Sequence, residues 1–471
     1  MPQPSSPRNV GRLVCPEPPP LELRGQRVAV LGAARSGVGC ARLLTQAGAS
    51  VIVGDGKPAE ALDAQALARI EETGAQLRFE VETVEALGAL DLLVISPGVP
   101  FDAPVVEEAR TAGVPVTGEI ELGYRFCRRP LIAISGTNAK GSTCTLTGAM
   151  LNAGGIQARV CGNIGDPFTG ALALEGPPDV YVLEISSFQL ETIEHFRAAV
   201  GCLLNVTDDH LDRHGSLGAY TVAKGRLFEN QTPEDWAVVN AEDGNVREAA
   251  RGARSRVLRF SGRGAATEAR LEGDRLVVDL GEGPQEVCRQ ADLIRAGAPY
   301  IETVLASACG ALLAGARSEG ILEAIHRHAL PAEVLELVCE AGRVRYINSS
   351  KATNPAAAIA DIESVSGPLQ LIAGGLERGS DFTQFGEVIR QRAKGLFLIG
   401  QCAERIAGAA GVEAVRCDSL EEAVEQAHAA AAPGDAVLLA PACASWDMFR
   451  DYKVRGEVFR RTARRLCGVE H

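Results

Sequence analysis

The 471-residue sequence lacks three features that would assign it to common classes of protein. Acidic residues outnumber basic ones, which gives the chain a formal net charge of -13. This negative charge argues against nucleic acid or an anionic membrane as the main partner. It has no apolar run of membrane-spanning length, and residues 1–20 contain no apolar core of the signal-peptide type. Its 13 cysteines include no CxxC pair, which predicts reduced thiols in a cytoplasmic protein.

Apolar residues are plentiful, at 46% of the chain, which is enough for several folded cores. Short apolar strands alternate with helical stretches, and this pattern predicts α/β domains. The predicted organisation is a Pro-rich disordered tail over 1–21, a Rossmann-like domain over 22–116, a central P-loop-type α/β domain over 117–329 and a Rossmann-like C-terminal domain over 330–471.

A candidate phosphate loop organises the middle of the chain. The segment AISGTNAKGST, residues 133–143, predicts a strand, a tight turn and a helix with Lys140 near its first turn. Backbone N–H groups, the helix dipole and Lys140 would converge on an anion, while the hydroxyl of Ser142 or its neighbour would reach Mg²⁺. Ala133 and Ala139 replace both glycines of the full motif, so an ordinary strand-turn-helix corner is the alternative.

A second candidate site follows the first strand, Arg27 to Leu31. The next strand closes with Asp55, 23 residues after Gly32, which is close to a dinucleotide fingerprint. Ala34 replaces the middle glycine of this fingerprint, at the position where the backbone would approach a pyrophosphate. The replacement argues against NAD as a ligand, and a site for half of a dinucleotide remains the alternative. The segment DLLVISPG, residues 91–98, ends another strand in a Pro-Gly turn, for which a plain β-α loop is the alternative.

Acidic residues follow two strands of the central domain. Glu184 ends an apolar run, so its carboxylate should be buried and would need a metal or a cation as its partner. A Mg²⁺ ligand is one interpretation, and a salt bridge to an arginine is the other. The cluster DDHLD, residues 208–212, also follows a strand, and a solvated acidic turn is its alternative.

The third domain is predicted to open with a hairpin and to continue with alternating strands and helices. SSKATNP, residues 349–355, and APACASWDMF, residues 440–449, both follow strands and should lie on one sheet edge. Lys351 would meet a phosphate or a carboxylate there, although an isolated lysine is more often solvated surface.

The ordered set of motifs resembles one family. GTNAKGST, GNIG, LEISSFQLE, NVTDDHLDRH, YTVAKGR, INSSKATN and PACASWDMF occur in the order and at the intervals of the Mur ligases. The resemblance covers about residues 22–471, and the last two motifs point to the member that adds D-glutamate. It implies an ATP-dependent ligase that joins D-glutamate to UDP-N-acetylmuramoyl-L-alanine through an acyl phosphate, in peptidoglycan synthesis.

The resemblance also implies the residues of the ATP and metal sites. ATP is expected on Gly136, Thr137, Asn138, Ala139, Lys140, Gly141 and Ser142. Mg²⁺ is expected on Ser142, Glu184, His210 and Lys224, and the catalytic set would be Lys140, Glu184, His210 and Lys224. In this family the lysine at position 224 is carbamylated, which makes chemical sense because an ammonium repels a metal whereas a carbamate supplies an anionic oxygen.

The substrates are assigned in the same way. The UDP end is expected in the first domain, on Ala33, Arg35, Ser36, Asp55, Ser96, Pro97 and Gly98. Asn163 and Ser186 would guide the muramoyl-alanine arm toward the metals. D-Glutamate is expected on Lys351, Thr353, Arg378, Ser445 and Tyr452. The resemblance predicts a cytoplasmic monomer that uses ATP and Mg²⁺ and binds neither nucleic acid nor membrane.

Three departures from the family pattern lie on the nucleotide side. The usual His-Asn-x-x-Asn is replaced by Ala298-Pro299-Tyr300-Ile301-Glu302, and the usual Leu-Pro-His-Arg by Leu330-Pro331-Ala332-Glu333. Ser349 replaces an acid. Glu333 would therefore repel the ATP phosphates, unless it points to solvent and Arg343 or Arg345 takes over.

Two other functions stay open on this evidence. The GTNAKGST loop is closer to folylpolyglutamate synthases, which share two of the domains, so the first alternative is a ligase with a folate acceptor. The second is a catalytically weak paralogue that binds a nucleotide-sugar as a regulator or scaffold.

Overall fold

The computed structural model describes residues 11–15, 17–293, 298–327, 333–376 and 378–469. Leu330, Pro331 and Ala332, and the side chains of Asp212, Ala298 and Pro299, lie outside this description. The described residues divide into two compact units. The first comprises Met1–Val206, Gly218–Ile294 and Glu302–His328, and the second comprises Thr207–Leu217, Arg295–Ile301 and Ala329–His471.

The first unit opens with a parallel sheet whose strands are rich in valine, isoleucine and leucine, because helices cover both of its faces. Its elements are β1 (Arg27–Leu31), α1 (Arg35–Gln46), β2 (Ser50–Gly54), α2 (Ala64–Glu71), β3 (Gln76–Arg78), β4 (Leu92–Ile95), α3 (Pro104–Thr111), β5 (Val116–Gly118) and α4 (Glu119–Phe126). The strand order is β3-β2-β1-β4-β5. Since β5 pairs with β4, this sheet extends two residues beyond the boundary placed at residue 116.

The central sheet follows directly in the chain. Its first elements are β6 (Leu131–Ser135), α5 (Lys140–Ala153), β7 (Ala158–Gly162), α6 (Phe168–Leu172), β8 (Val180–Glu184), α7 (Ser187–Leu190) and β9 (Val200–Leu203). After α8 (Leu211–His214), which belongs to the second unit, come α9 (Leu217–Gly225), β10 (Trp236–Asn240), α10 (Gly244–Ala249), β11 (Arg256–Ser261), β12 (Ala269–Glu272), β13 (Arg275–Asp279), β14 (Pro284–Arg289), α11 (Ala298–Leu313) and α12 (Ser318–Arg327). The order is β14-β13-β12-β11-β10-β9-β6-β8-β7, parallel from β7 to β12.

The second unit contains the third sheet. Its elements are β15 (Glu336–Ala341), β16 (Val344–Asn348), α13 (Pro355–Ser364), β17 (Leu369–Gly374), α14 (Thr383–Arg392), β18 (Ala393–Ile399), α15 (Ala403–Ala410), β19 (Val415–Arg416), α16 (Leu420–Ala430), β20 (Ala436–Leu439) and α17 (Tyr452–Cys467). The order is β15-β16-β20-β17-β18-β19, and β15 pairs antiparallel with β16 as the predicted hairpin. The prediction of three α/β sheets is confirmed.

Two sequence-based expectations need correction. The described part of the N-terminal segment is not a free tail, because the Arg12 N–H donates to the Leu313 carbonyl at 2.8 Å and the Cys15 thiol to the Arg128 carbonyl at 2.8 Å. Cys339 and Cys467 form a disulfide, so the prediction of 13 reduced cysteines is wrong for this pair. Within the described residues, no helix is both long and apolar enough to cross a membrane.

Candidate active site

The loop between β6 and α5 presents a helix N-terminus at the carboxyl edge of the central sheet. Gly136 has φ +155, and a Cβ built there would lie 3.1 Å from Leu204 Cβ. Ala139 adopts the left-handed conformation, φ 63, and provides no side-chain cap for α5, so the positive end of the helix dipole faces the loop. Lys140 Nζ donates to the Thr137 carbonyl at 2.8 Å, which folds the ammonium over the loop. This geometry suits a polyphosphate.

Asn205 holds the phosphate loop in place, a role that was not predicted from the sequence. Its Oδ1 accepts from the Asn138 N–H at 2.7 Å, and its Nδ2 donates to the Asn138 carbonyl at 3.3 Å. The Thr137 N–H donates to the Asn205 carbonyl at 2.9 Å. The sequence feature that could have indicated this role is the position of Asn205 just after β9, the strand that pairs with β6.

Glu184 ends β8 on the other side of β6 and is 4% exposed. Its Oε1 accepts from Asn163 Nδ2 at 2.7 Å, whereas its buried Oε2 has no hydrogen-bond partner in the described part of the chain. Among the described residues Glu184 forms no ion pair, so the arginine salt bridge considered from the sequence is not found. A buried carboxylate oxygen without a partner fits a cation that is not part of the protein chain.

Lys224 lies beside the same loop. It is 1% exposed, its Nζ donates to the Gly136 carbonyl at 2.8 Å, and the Nζ sits 4.5 Å from the centroid of the Tyr220 ring. In the part of the chain that the structure describes, no group of three or more His, Cys, Asp or Glu side chains could hold a metal.

The predicted UDP residues lie at the carboxyl ends of β1, β2 and β4. The Asp55 carboxylate accepts from the Ala33 N–H at 2.9 Å, and Ser96 Oγ donates to the Gly32 carbonyl at 3.3 Å. Arg35 reaches the loop after β7, where its guanidinium donates to the carbonyls of Gly165 at 2.8 Å and Asn163 at 3.4 Å. This edge combines exposed backbone with Arg35, which suits an anionic nucleotide.

The remaining residues predicted on this side differ in exposure. Ser36 and Pro97 are half-buried, and Gly98 is exposed. Ser186 is the N-cap of α7 and forms a capping box with Gln189, so its hydroxyl serves the helix. Asn163 orients the Glu184 carboxylate, a contact that its predicted substrate role did not include.

A small, partly open pocket lies within the second unit. Its lining residues are Asp208, Asp209, His210, Leu211, Thr353, Asn354, Leu376, Arg378, Gly379, Ser380, Cys443 and Ala444. An Arg378 guanidinium nitrogen lies 3.2 Å from His210 Nδ1, which joins a predicted metal ligand to a predicted D-glutamate residue. Of the other predicted D-glutamate residues, Thr353 lines the pocket, whereas Lys351, Ser445 and Tyr452 do not.

Two of the departures on the nucleotide side, Glu333 and Glu302, can be placed in the structure. Glu333 is 8% exposed and pairs with Arg460 at 2.5 Å, so the alternative that it points to solvent is wrong. The same Arg460 guanidinium also pairs with Glu336 at 2.9 Å. Arg345 donates to the Ser366 carbonyl.

Glu302 is the acid that replaces the last family asparagine. Burial, reinforced by the negative charge of Glu242, raises its pKa to about 7. Asn240 Nδ2 donates to its carboxyl group at 3.2 Å. The side chain is therefore poised between neutral and charged forms at physiological pH.

Family models match most of the chain. A MurD-like N-terminal domain of Mur ligases matches residues 26–118, a Mur ligase middle domain matches 134–286, and a Mur ligase glutamate ligase domain matches 335–443. The chain belongs to the Mur ligase family. This confirms the resemblance read from the motifs.

Individual Mur ligases match over almost the full length. A UDP-N-acetylmuramoylalanine--D-glutamate ligase from Pelotomaculum thermopropionicum is 42% identical and covers 92% of this chain and 96% of its own. A UDP-N-acetylmuramoylalanine--D-glutamate ligase from Koribacter versatilis is 40% identical, and the match covers 96% of this chain and 100% of that protein. The structure of a UDP-N-acetylmuramate-alanine ligase from Thermotoga maritima has a TM-score of 0.58 at 17% identity, over 94% of this chain and 100% of that one, which shows the shared fold.

Proposed function

We propose that this Mur ligase uses ATP to join D-glutamate to UDP-N-acetylmuramoyl-L-alanine, in the synthesis of the peptidoglycan precursor. The observation that carries this conclusion is the match to D-glutamate ligases at 40–42% identity over 92–96% of the chain. The phosphate loop, the nucleotide edge of the first sheet and the pocket of the second unit supply the chemistry that such a reaction needs.

The first step activates a carboxylate that is a poor electrophile. The terminal alanine carboxylate attacks the γ-phosphorus of ATP, ADP leaves, and an acyl phosphate forms. We assign the backbone of Gly136 to Gly141 and the Lys140 ammonium to the ATP phosphates, because a helix N-terminus and a full positive charge both stabilise phosphoryl oxygens. Asn205 keeps this loop in the required conformation.

We assign Mg²⁺ to the neighbourhood of Glu184, whose buried Oε2 has no hydrogen-bond partner among the described residues, together with Ser142 and Lys224 of the same unit. His210, which belongs to the second unit, stays a proposed metal ligand. When bound, Mg²⁺ would neutralise charge on the transferred phosphoryl group. Carbamylation of Lys224 would join its neutral amine to CO₂ with release of a proton and replace a buried cation by an anionic ligand. The burial of Lys224 beside the Gly136 carbonyl supports this role.

The second step is attack by the D-glutamate amine on the acyl phosphate, with release of phosphate through a tetrahedral intermediate. We assign the pocket of the second unit to D-glutamate, with Arg378 on a carboxylate and Thr353 beside it. Lys351 and Ser445 lie on the same loops and Tyr452 begins α17, but none of the three lines the pocket, so their roles stay proposals.

The remaining predictions also stay proposals. We place the protein in the cytoplasm, where ATP and nucleotide-sugars occur, and expect a monomer. The disulfide between Cys339 and Cys467 is unusual for that compartment. The domain boundaries at 116/117 and 329/330 stay proposals. The separate second and third sheets support the boundary at 329/330, whereas the first sheet ends two residues after 116.

The test is identification of the product. The purified protein is incubated with ATP, Mg²⁺ and UDP-N-acetylmuramoyl-L-alanine together with D-glutamate, L-glutamate or no amino acid, and the nucleotide-sugar is analysed by mass spectrometry. Addition of one glutamyl residue only with D-glutamate supports the proposal. Glutamylation of a dihydrofolate acceptor instead would favour the folate ligase, and tight binding without product would favour the paralogue.

A further inference from the structure

Arg455 is a buried cation that the proposed reaction has not used. It lies on α17, is 0% exposed, and forms no ion pair among the described residues. Burial lowers the pKa of its guanidinium to about 10, so the group still carries a positive charge at neutral pH. The negative charge of Asp447 acts on this guanidinium without forming an ion pair with it, and offsets part of the cost of burying the charge. Hydrogen bonds must compensate for the rest.

The guanidinium hydrogen-bonds to two loops at the carboxyl edge of the third sheet. Its Nε donates to Ser350 Oγ at 3.0 Å and its NH2 to the Ser350 carbonyl at 2.9 Å, on the loop after β16. The same NH2 donates to the Cys443 carbonyl at 3.0 Å, on the loop after β20. Since β16 and β20 are paired strands, one side chain fastens two neighbouring loops.

A third loop packs against the remaining nitrogen. NH1 is buried and has no hydrogen-bond partner among the residues that the structure describes, and a Cβ built on Gly375 would lie 3.2 Å from it. Gly375 follows β17, which pairs with β20. The Leu376 N–H donates to the Ala444 carbonyl at 2.9 Å, which ties this third loop to the second one.

These three loops form most of the pocket assigned to D-glutamate. The loop after β16 contributes Thr353 and Asn354, and the loop after β20 contributes Cys443 and Ala444. The loop after β17 contributes Leu376, Arg378, Gly379 and Ser380. The pocket also carries the acidic side chains of Asp208 and Asp209. A dianionic amino acid therefore needs positive charge nearby. Arg378 supplies one charge in the pocket lining, and the Arg455 guanidinium, which donates to the carbonyl of the lining residue Cys443, supplies a second one next to it.

We propose that Arg455 is a positioning residue for the amino-acid substrate, which holds the three pocket loops in register and favours a dianion over a monoanion by its buried charge. This inference rests on the proposed function. The proposed role of Arg455 differs from a purely structural one in two ways. It requires the positive charge of the guanidinium, and it affects the binding of the amino acid but not of ATP or the nucleotide-sugar.

The test compares Arg455→Gln, which removes the charge, with Arg455→Lys, which keeps it. In Arg455→Gln the KM for D-glutamate should rise about tenfold or more, while the KM values for ATP and for UDP-N-acetylmuramoyl-L-alanine stay within about twofold. The preference for D-glutamate over D-glutamine should fall in Arg455→Gln and recover in Arg455→Lys. Arg461→Gln, an exposed position on the same helix, is the matched control and should leave all values unchanged.

Ser350→Ala gives a second and milder arm, since it removes the acceptor of Arg455 Nε and leaves the charge in place. It should raise the KM for D-glutamate without changing the preference over D-glutamine. The proposal is overturned if Arg455→Gln has an unchanged KM for D-glutamate. It is equally overturned if kcat/KM for D-glutamate and D-glutamine fall in parallel with the melting temperature. Failure of the wild-type enzyme to use D-glutamate would instead overturn the proposed function, and this inference with it.

Discussion

At the residue scale, Glu184 and Glu333 show how differently two buried carboxylates are accommodated. Glu333 pairs with Arg460, which is 127 residues away in the chain. The sequence cannot predict that partner because the pairing depends on the packing of α17. Burial of Glu184 was predictable, since it ends an apolar strand, and its unpartnered Oε2 gives physical support to the predicted metal ligand.

Lys224→Arg should lower kcat by at least about 100-fold, because guanidinium keeps the positive charge and cannot form an anionic carbamate ligand. The measurement is steady-state turnover at saturating substrates. Lys453→Arg, at an exposed site on α17, is the control and should turn over normally. Turnover by Lys224→Arg close to the wild-type rate would eliminate the carbamate.

The pocket around Arg378 should select a dianionic amino acid. We expect kcat/KM for D-glutamine to be at least about 100-fold below that for D-glutamate, because an amide cannot form a bidentate pair with a guanidinium. Arg378→Gln should reduce this difference. Equal kcat/KM for the two amino acids in the wild-type enzyme would show that the pocket has been misassigned.

Glu302 should make stability depend on pH. The pKa of Glu302 is about 7 in the folded state and 4.5 ordinarily, so between these pH values the folded protein holds a proton that the unfolded protein has released. The stabilisation from this proton is complete below pH 4.5 and is lost as the pH rises through 7. Between pH 5 and 8 the wild type should lose on the order of 3 kcal/mol of unfolding free energy relative to Glu302→Gln. Both proteins keep Glu242, Asp243 and Arg263, the other charged groups near this site. Parallel denaturation curves across this pH range would contradict the assignment.

At the scale of secondary structure, strand positions were predicted well and helix starts less well. The predicted strand at 27–31 matches β1, and the strand predicted at the start of the segment 133–143 matches the end of β6, because both are short apolar runs followed by glycine. Helix α5 starts at Lys140, directly after Ala139, which takes the left-handed cap position that the motif usually gives to glycine. That conformation was not predictable from an alanine.

Gly37 tests the close contact between β1 and α1. A Cβ there would lie 2.1 Å from the Gly32 carbonyl oxygen, so Gly37→Ala should destabilise the protein by about 2–3 kcal/mol and raise the KM for the nucleotide-sugar. Gly408→Ala is the matched control, because Gly408 is also helical and has no atom within 4 Å of its Cβ position. The control should be neutral or up to about 1 kcal/mol more stable. Equal stability of both variants, measured by urea denaturation, would disprove the contact.

At the scale of the whole molecule, the α/β class and the three sheets followed from the alternation of strands and helices. Two features of the structure could not be predicted from that alternation. The first is the grouping of residues 207–217 with the C-terminal unit, which depends on contacts between segments far apart in sequence. The Cys339–Cys467 disulfide joins β15 to the end of α17 over a separation of 128 residues, and spacing alone does not reveal such a pair.

The central claim is that this Mur ligase couples ATP cleavage to the addition of D-glutamate. The most direct measurement is ADP release by the wild-type protein with UDP-N-acetylmuramoyl-L-alanine present, before and after D-glutamate is added, and with the nucleotide-sugar omitted. We predict sustained ADP release that requires both substrates and matches the glutamylated product mole for mole. Release of ADP that is independent of D-glutamate, or no release with all substrates present, would contradict the claim.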